Sequence, residues 1–257
     1  MTSSPILITH TTSPAYSIYA SWGPRAEPPE AIAPHYLACI DRLKQVHPAY
    51  DNWIFNLKGK PKKFDALREK LAEAVAANVD RAEHGKPTPI YGYWATVTNT
   101  MNKARPRSLA LLIRVNAGAW VNRGYFCNSA MIKTGDNVVP DPSIIAYPAF
   151  KAALLALVES FDATYCSAYP QQIMDFWDPA RHLRIAWMSY VAPRFASLIT
   201  PPPSAIAERT AQGGLLLSAT RETFRVDNPA HLAVAQDILK ALAPFEALPW
   251  PPDAAPE

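Results

Sequence analysis

Few residues of this chain have the types and spacing that catalysis requires. Its six histidines are dispersed, and no two lie four positions apart, the spacing that places two metal ligands on one helix face. His182 follows Asp175 and Asp178, so this segment is the nearest approach to an acid–base or metal cluster. A solvated polar loop explains the same residues at least as well. An enzyme with a hydrolytic site near His182 or His231 is therefore kept as an alternative.

Three further residues, Asp65, Glu69 and Lys70, have a spacing similar to the carboxylate–lysine sets of nucleases. They lie in a segment whose apolar residues repeat every three or four positions, which is typical of an amphipathic helix with a solvated charged face. The chain has no P-loop, no dinucleotide-binding glycine fingerprint and no Gly-x-Ser-x-Gly elbow. The sequence predicts no catalytic residue, no metal ligand and no cofactor.

The charge balance excludes some classes of partner. Lysine and arginine number 25 against 22 acidic residues, which gives a formal net charge of only +3. This charge is too weak and too scattered to predict direct nucleic-acid binding. It also argues against a mimic of DNA, which needs a dense negative surface.

Cysteine usage and hydropathy predict the compartment. Cys39, Cys127 and Cys166 are far apart and odd in number, so we expect buried free thiols and a reducing environment. The first residues lack the basic and apolar regions of a secretory signal. The most apolar window, residues 152–158, is too short to span a bilayer. The sequence predicts a soluble, cytoplasmic protein that does not bind membranes.

Aromatic side chains mark the segments that are most suited to bind a protein. Seven tryptophans and eleven tyrosines exceed what a core of this size requires, and aromatic residues dominate the energetics of many protein interfaces. The loop at residues 170–182 places Phe176 and Trp177 between Asp175 and Asp178. We predict that these four residues contact a partner, with Asp136 and Asp141 of the loop at residues 134–147 as the second choice.

The hydrophobic pattern predicts one α+β domain. Strands are expected at residues 5–10, 15–21, 91–99, 108–116, 125–133, 164–169, 184–192 and 215–219. Helices are expected at residues 31–46, 64–79, 148–161 and 205–211, and after the N-cap residue Asn228. Residues 53–63 are expected to form a loop. The domain spans residues 1–247, with a central mixed, largely antiparallel sheet flanked by about four to five helices, and residues 248–257 form a proline-rich tail.

An ordered set of short motifs resembles the Immunity protein 52 family over nearly the whole chain. The matching segments are Trp22-Gly23-Pro24-Arg25, Glu27, Trp53, Lys58-Gly59-Lys60, Ala186-Trp187-Met188-Ser189-Tyr190, Gly213-Gly214, Thr223-Phe224 and Asn228-Pro229-Ala230-His231. The chain departs mildly from the family at Ser21, Ala186 and Ser189, where Tyr, Gly and Thr are usual.

The resemblance implies an antitoxin with no enzymatic activity of its own. Its partner would be a cognate secreted toxin with a restriction-endonuclease-like nuclease domain of the Tox-REase-5 type, often delivered between bacteria by a type VI secretion system. Several motif residues are expected to be structural: Trp22, Gly23, Pro24, Arg25, Trp53, Trp187 and Tyr190. An adaptor that binds the delivery region of the secreted protein is a further alternative.

The near-neutral charge then favours one mechanism of inhibition. A whole-surface DNA mimic is disfavoured, so we expect direct steric occlusion of the toxin's active-site cleft or of its assembly surface. Aromatic anchors and a few local acids would supply the contacts.

Overall fold

A computed structural model describes residues 13–81, 85–100, 105–121, 128–178 and 180–249. Ten strands of these residues form one sheet. In chain order they are β1 Tyr16–Trp22, β2 Ile54–Leu57, β3 Lys60–Lys63, β4 Tyr93–Thr98, β5 Leu111–Ala117, β6 Asn128–Thr134, β7 Tyr165–Pro170, β8 Met188–Val191, β9 Ile206–Arg209 and β10 Leu215–Ser218. Their order across the sheet is β3-β2-β4-β5-β6-β1-β7-β8-β10-β9, and each strand is antiparallel to its neighbours.

Five α-helices accompany the sheet in the described part of the chain. They are α1 Pro29–Val46, α2 Leu71–Ala77, α3 Tyr147–Phe161, α4 Pro229–Ala241 and α5 Ala243–Glu246. No helix among the described residues is both long enough and apolar enough to cross a membrane. The α+β class with a largely antiparallel sheet is confirmed.

One face of the sheet is buried under α1, α2 and α3. Because side chains alternate along a strand and cross-strand partners share a face, the pairs Ile18–Ile132 and Ile113–Ile132 place these residues on the same side. Ring contacts identify that side as the helical one. Tyr16 of β1 meets Phe150 of α3 at 6.1 Å between ring centroids. The main core therefore lies between the sheet and these three helices.

The opposite face is covered over only part of its width. α4 packs against β10, and Phe245 of α5 stacks on Tyr165 of β7 at 6.0 Å. The same face of β4, β5 and β6, together with Tyr19 of β1, keeps partly or largely exposed side chains, and we call it the open face. Ser17, Ser21 and Asn116 also project from this side of the sheet but are buried. Its exposed positions are Tyr19, Trp94, Thr96, Thr98, Leu112, Arg114, Ser129, Met131 and Lys133.

Most of the predicted elements are present within a few residues of their predicted bounds. The helix that begins after Asn228 is confirmed together with its cap, because the Asn228 side chain accepts a hydrogen bond from the amide of Ala230 at 3.0 Å. The predicted strand at residues 5–10, the start of the strand at residues 125–133, Cys127 and residues 250–257 of the tail lie outside the described residues.

Two of the predicted elements are wrong. Residues 53–63 form the hairpin β2–β3 rather than a loop, because Lys58 and Gly59 both adopt positive φ, as a two-residue hairpin turn requires. The predicted helix at residues 205–211 is instead the edge strand β9. Its residues pair with β10 across a turn in which Gly213 has φ +88°, and these ladder hydrogen bonds override the local helical preference.

The predicted helix at residues 64–79 is only partly correct. Residues Phe64–Lys70 form 3-10 turns, and a regular α-helix exists only in α2. Within this segment the apolar pattern consists only of Phe64 and Leu67, and a spacing of three residues fits a 3-10 turn as well as an α-helix.

Gly118 lies where the chain leaves β5 and offers a test of this packing. Its φ is +83°, and an added Cβ would stand 2.6 Å from the carbonyl oxygen of Glu27. We expect Gly118→Ala to lower the free energy of unfolding by about 1–3 kcal/mol, because backbone strain adds to a collision with main chain. Denaturant unfolding measures the change. Gly135→Ala is the control, because its Cβ would meet the nearest atom at 3.4 Å; equal losses in the two variants would contradict the explanation.

Candidate functional site

His231 is held by its neighbours at the start of α4. The imidazole is 7% exposed, and its Nδ1 accepts a hydrogen bond from the amide of Arg225 at 3.2 Å. Nε2 lies 3.6 Å from a carboxylate oxygen of Glu222, and the ring packs against Phe224 at 5.5 Å. Both ring nitrogens therefore face groups that fix the segment before α4.

The segment around His182 is held against α5 by contacts with Glu246. It does not have the arrangement of a metal site. The carboxylate of Glu246 forms an ion pair with the guanidinium of Arg181 and accepts a hydrogen bond from the amide of Leu183 at 2.9 Å. Burial raises the pKa of Glu246, but these hydrogen bonds outweigh it and hold the pKa below its usual value. The carboxylate of Asp178 accepts a hydrogen bond from the amide of Ala180 at 2.9 Å. Across the described residues, no three His, Cys, Asp or Glu side chains are placed to share a metal ion.

The predicted contact loop carries one exposed aromatic ring and one that is held in place. Phe176 is 51% exposed, whereas Trp177 is half-buried. The guanidinium of Arg184 lies 5.5 Å from the Trp177 ring, 4.8 Å from the Tyr169 ring and 5.8 Å from the Tyr19 ring. We call these four residues the Arg184 cluster. Because Tyr19 belongs to the open face, the cluster joins the loop to that face.

The two acids of the second predicted loop, Asp136 and Asp141, lie in different surroundings. Asp136 follows β6 and forms an ion pair with Lys133 of the open face. The carboxylate of Asp141 accepts hydrogen bonds from the hydroxyl and the amide of Ser143 at 2.6 and 2.9 Å, and these bonds lower its pKa. Asp136 therefore borders the open face, whereas Asp141 stabilises the turn in which it lies.

The open face combines aromatic, apolar and cationic side chains. In the strand register Arg114 pairs with Thr96 on one side and with Met131 on the other, and Met131 also pairs with Tyr19. These four side chains therefore form one row across four strands. Trp94, which is 40% exposed, lies two residues before Thr96 on β4 and therefore on the same face as this row. Alternation predicted these strands, but not which of their faces would stay uncovered.

A cleft opens at the β2 side of this face. It has a volume of about 590 Å³ and is lined by Trp94 and Thr96 of β4, by Asn56 and Lys58, and by the segment at residues 77–81. The backbone of that segment continues the sheet beside β4, since the amide of Trp94 donates to the carbonyl of Asn78 at 3.0 Å. The cleft extends the open face towards the edge of the sheet.

The corner Trp22-Gly23-Pro24-Arg25 ties β1 to α3. The Trp22 ring stacks on Phe161 at 5.1 Å, and the Arg25 guanidinium donates to the carbonyl of Phe161 at 3.1 Å. Arg25 also lies 3.0 Å from a carboxylate oxygen of Glu27. The Asn128 side chain donates to the carbonyl of Gly23 at 2.8 Å. Each of these contacts is internal to the domain.

Three other motif residues are buried. The indole of Trp53 donates to the carbonyl of Tyr50 at 3.0 Å, and that of Trp187 donates to the carbonyl of Thr220 at 2.9 Å. Tyr190 lies so close to Gly214 that a Cβ there would stand 2.4 Å from its ring. Their structural role stays a prediction.

Comparison with known proteins extends this description. The family model described as Immunity protein 52 matches residues 14–246. No curated protein matches the chain. Among solved structures, the Pseudomonas aeruginosa T6SS protein PA0821 is similar with a TM-score of 0.51 at 12% identity, covering 88% of this chain and 75% of that one. At this identity the likeness is one of fold alone.

The contacts of Arg25 predict a loss of stability when it is truncated. We expect Arg25→Ala to lower the free energy of unfolding by about 1–2 kcal/mol, because a hydrogen bond to a carbonyl and a cation–π contact with Trp22 at 5.6 Å are both removed. Thermal or denaturant unfolding measures this, with binding to the partner as the second readout. A variant that is as stable as the wild type but has lost binding would reverse the assignment.

Proposed function

Because the chain belongs to the Immunity protein 52 family, we propose that it is an immunity protein that binds and neutralises a cognate secreted toxin. The observation that carries this proposal is the family match over residues 14–246. The described chain also lacks a grouping of metal-ligating side chains and has an open face on four of its ten strands. A surface of this kind suits a protein whose activity consists of binding.

We further propose that the toxin is a nuclease delivered by a type VI secretion system. The motif resemblance supports the nuclease, and the solved structure of similar fold is that of a T6SS protein. The immunity protein would act in the cytoplasm of the producing cell. One free nuclease molecule can be lethal, so the pair must bind tightly, and non-covalent complexes can reach dissociation constants of about 10⁻¹³ M.

Inhibition is proposed to be steric. The net charge of +3 does not support imitation of a nucleic acid. Phe176 and Trp177, with Asp175 and Asp178 beside them, are the proposed aromatic anchors. Stacking of Arg184 on Trp177 orders the indole before the toxin arrives, which reduces the entropy lost on binding.

Co-expression tests the function directly. We expect cells that express the nuclease domain encoded beside this chain to survive only when the chain is also expressed, and we expect the two proteins to co-purify. Survival without a complex would contradict neutralisation by binding and would favour an enzymatic activity near His182 or His231. A complex that requires the delivery region and not the toxic domain would favour the adaptor.

The contact loop has its own test. We expect the double variant Trp177→Ala, Asp178→Ala to bind the toxin at least about 30-fold more weakly, because truncation of an anchor at an interface costs about 2 kcal/mol or more. Calorimetric titration measures the affinity, and circular dichroism checks the fold. Leu198→Ala, Asp237→Ala is the control, since Leu198 is an apolar residue that is 42% exposed at the end of a 3-10 helix and Asp237 lies on α4, both outside the contact loop. Unchanged affinity in a folded Trp177 and Asp178 variant would rule the loop out.

A further inference from the structure

The open face has an unusual charge composition for the surface of a nearly neutral protein. None of the strands β4, β5, β6 and β1 contains Asp or Glu. Arg114 and Lys133 stand on this face, and Arg184 reaches it through its contact with Tyr19. Because Lys133 is paired with Asp136, the net positive charge of these strands comes from Arg114.

Arg114 differs from several arginines on the helices and loops around the sheet. Its side chain is exposed, and within the described residues its guanidinium has neither an ion pair nor a hydrogen bond. Arg42, Arg68 and Arg181 each pair with a carboxylate. An unpaired arginine in the middle of a sheet gains no electrostatic stabilisation from the fold. Its charge is available to a partner.

The neighbours of Arg114 have the composition of an interface centre. The row Thr96–Arg114–Met131–Tyr19 lies beside Trp94, and tryptophan, tyrosine and arginine are the residues most enriched among interface hot spots. Methionine adapts its shape to an opposing surface. All of these side chains project from hydrogen-bonded strands, so their backbone is ordered before binding.

We propose that the open face is the docking surface for the toxin and that it receives an acidic patch of that protein, with Arg114 at the centre of the contact. This inference rests on the proposed immunity function and adds the surface and the charge of the partner. The Arg184 cluster lies on the β7 side of this surface, so the contact loop with Trp177 continues the same surface. Opposite charges across such a surface speed association and select the partner.

A single strand of nucleic acid is the competing ligand for a surface of cations and aromatic rings. The composition favours a protein. Lys133 is already paired with Asp136, which leaves little net charge to follow a phosphate backbone. Leu112 and Met131 add apolar area that a protein surface can bury.

The test compares charge reversal on the two sides of the sheet. Arg114→Glu changes the open face, and Arg42→Glu makes the same change on α1, where Arg42 pairs with Glu159 of α3 at 2.9 Å. The ligand is the purified nuclease domain encoded beside the chain, and calorimetric titration at low and high salt gives the affinities. Arg114→Gln, which keeps a polar side chain of moderate length, replaces Arg114→Glu if the reversed charge impairs folding.

We expect Arg114→Glu to weaken binding at least about 30-fold and Arg114→Gln at least about 10-fold, with the salt dependence of the affinity reduced in both. Arg42→Glu should bind within about threefold of the wild type, because exposed charges away from an interface contribute little. Wild-type affinity in folded Arg114 variants would overturn the docking surface and leave the immunity function standing. Failure of the wild-type chain itself to bind would instead count against the proposed function.

A second titration separates the two classes of ligand. The probe is a short single-stranded DNA oligonucleotide, and we expect no binding at physiological salt by the wild type or by either Arg114 variant. Tight oligonucleotide binding that is lost in Arg114→Glu would overturn the proposal in favour of nucleic acid.

Discussion

The structure depends on the position of β1 at the centre of the sheet. This strand pairs with β6 on one side and with β7 on the other, and so joins the strands of the first half of the chain to those of the second. Its even-numbered residues are buried beneath the helices, and Ile18 and Ala20 have no exposed surface. Because both of its edges are hydrogen-bonded, β1 cannot shift register without moving both halves of the sheet. At the corner that begins at Trp22, the end of this strand packs against α3.

The same constraint explains why the two faces of the sheet differ. The helices α1 and α3 follow β1 and β6 closely in the chain, and they cover one face across its middle. The helices α4 and α5 come last and pack over the strands of the C-terminal half. The opposite side of β4, β5, β6 and β1 receives no helix in the described residues. An open sheet face with ordered side chains is a consequence of this distribution.

A surface of that origin suits the family to which the chain belongs. The binding side chains of an immunity protein must be held in place before the toxin arrives, and antiparallel strands provide this at little cost in entropy. Two of the four acids predicted as contacts, Asp136 and Asp141, have internal partners in Lys133 and Ser143. The cation Arg114 has none among the described residues. The charge of the partner is therefore inferred from the unpaired group and not from the number of acids.

The sequence by itself determined the local elements and the family. Alternation located β1, β4 and β5, the Asn228 cap located α4, and the ordered motifs identified Immunity protein 52. It misassigned residues 205–211, because an edge strand is stabilised by a ladder to β10 that no local pattern contains. Only the tertiary structure decided which strand faces stay exposed and that Arg184 joins Trp177 to Tyr19. The alternation of side chains along a strand assigns them to the two faces of the sheet. Which face is buried depends on the packing of helices that are distant in the chain.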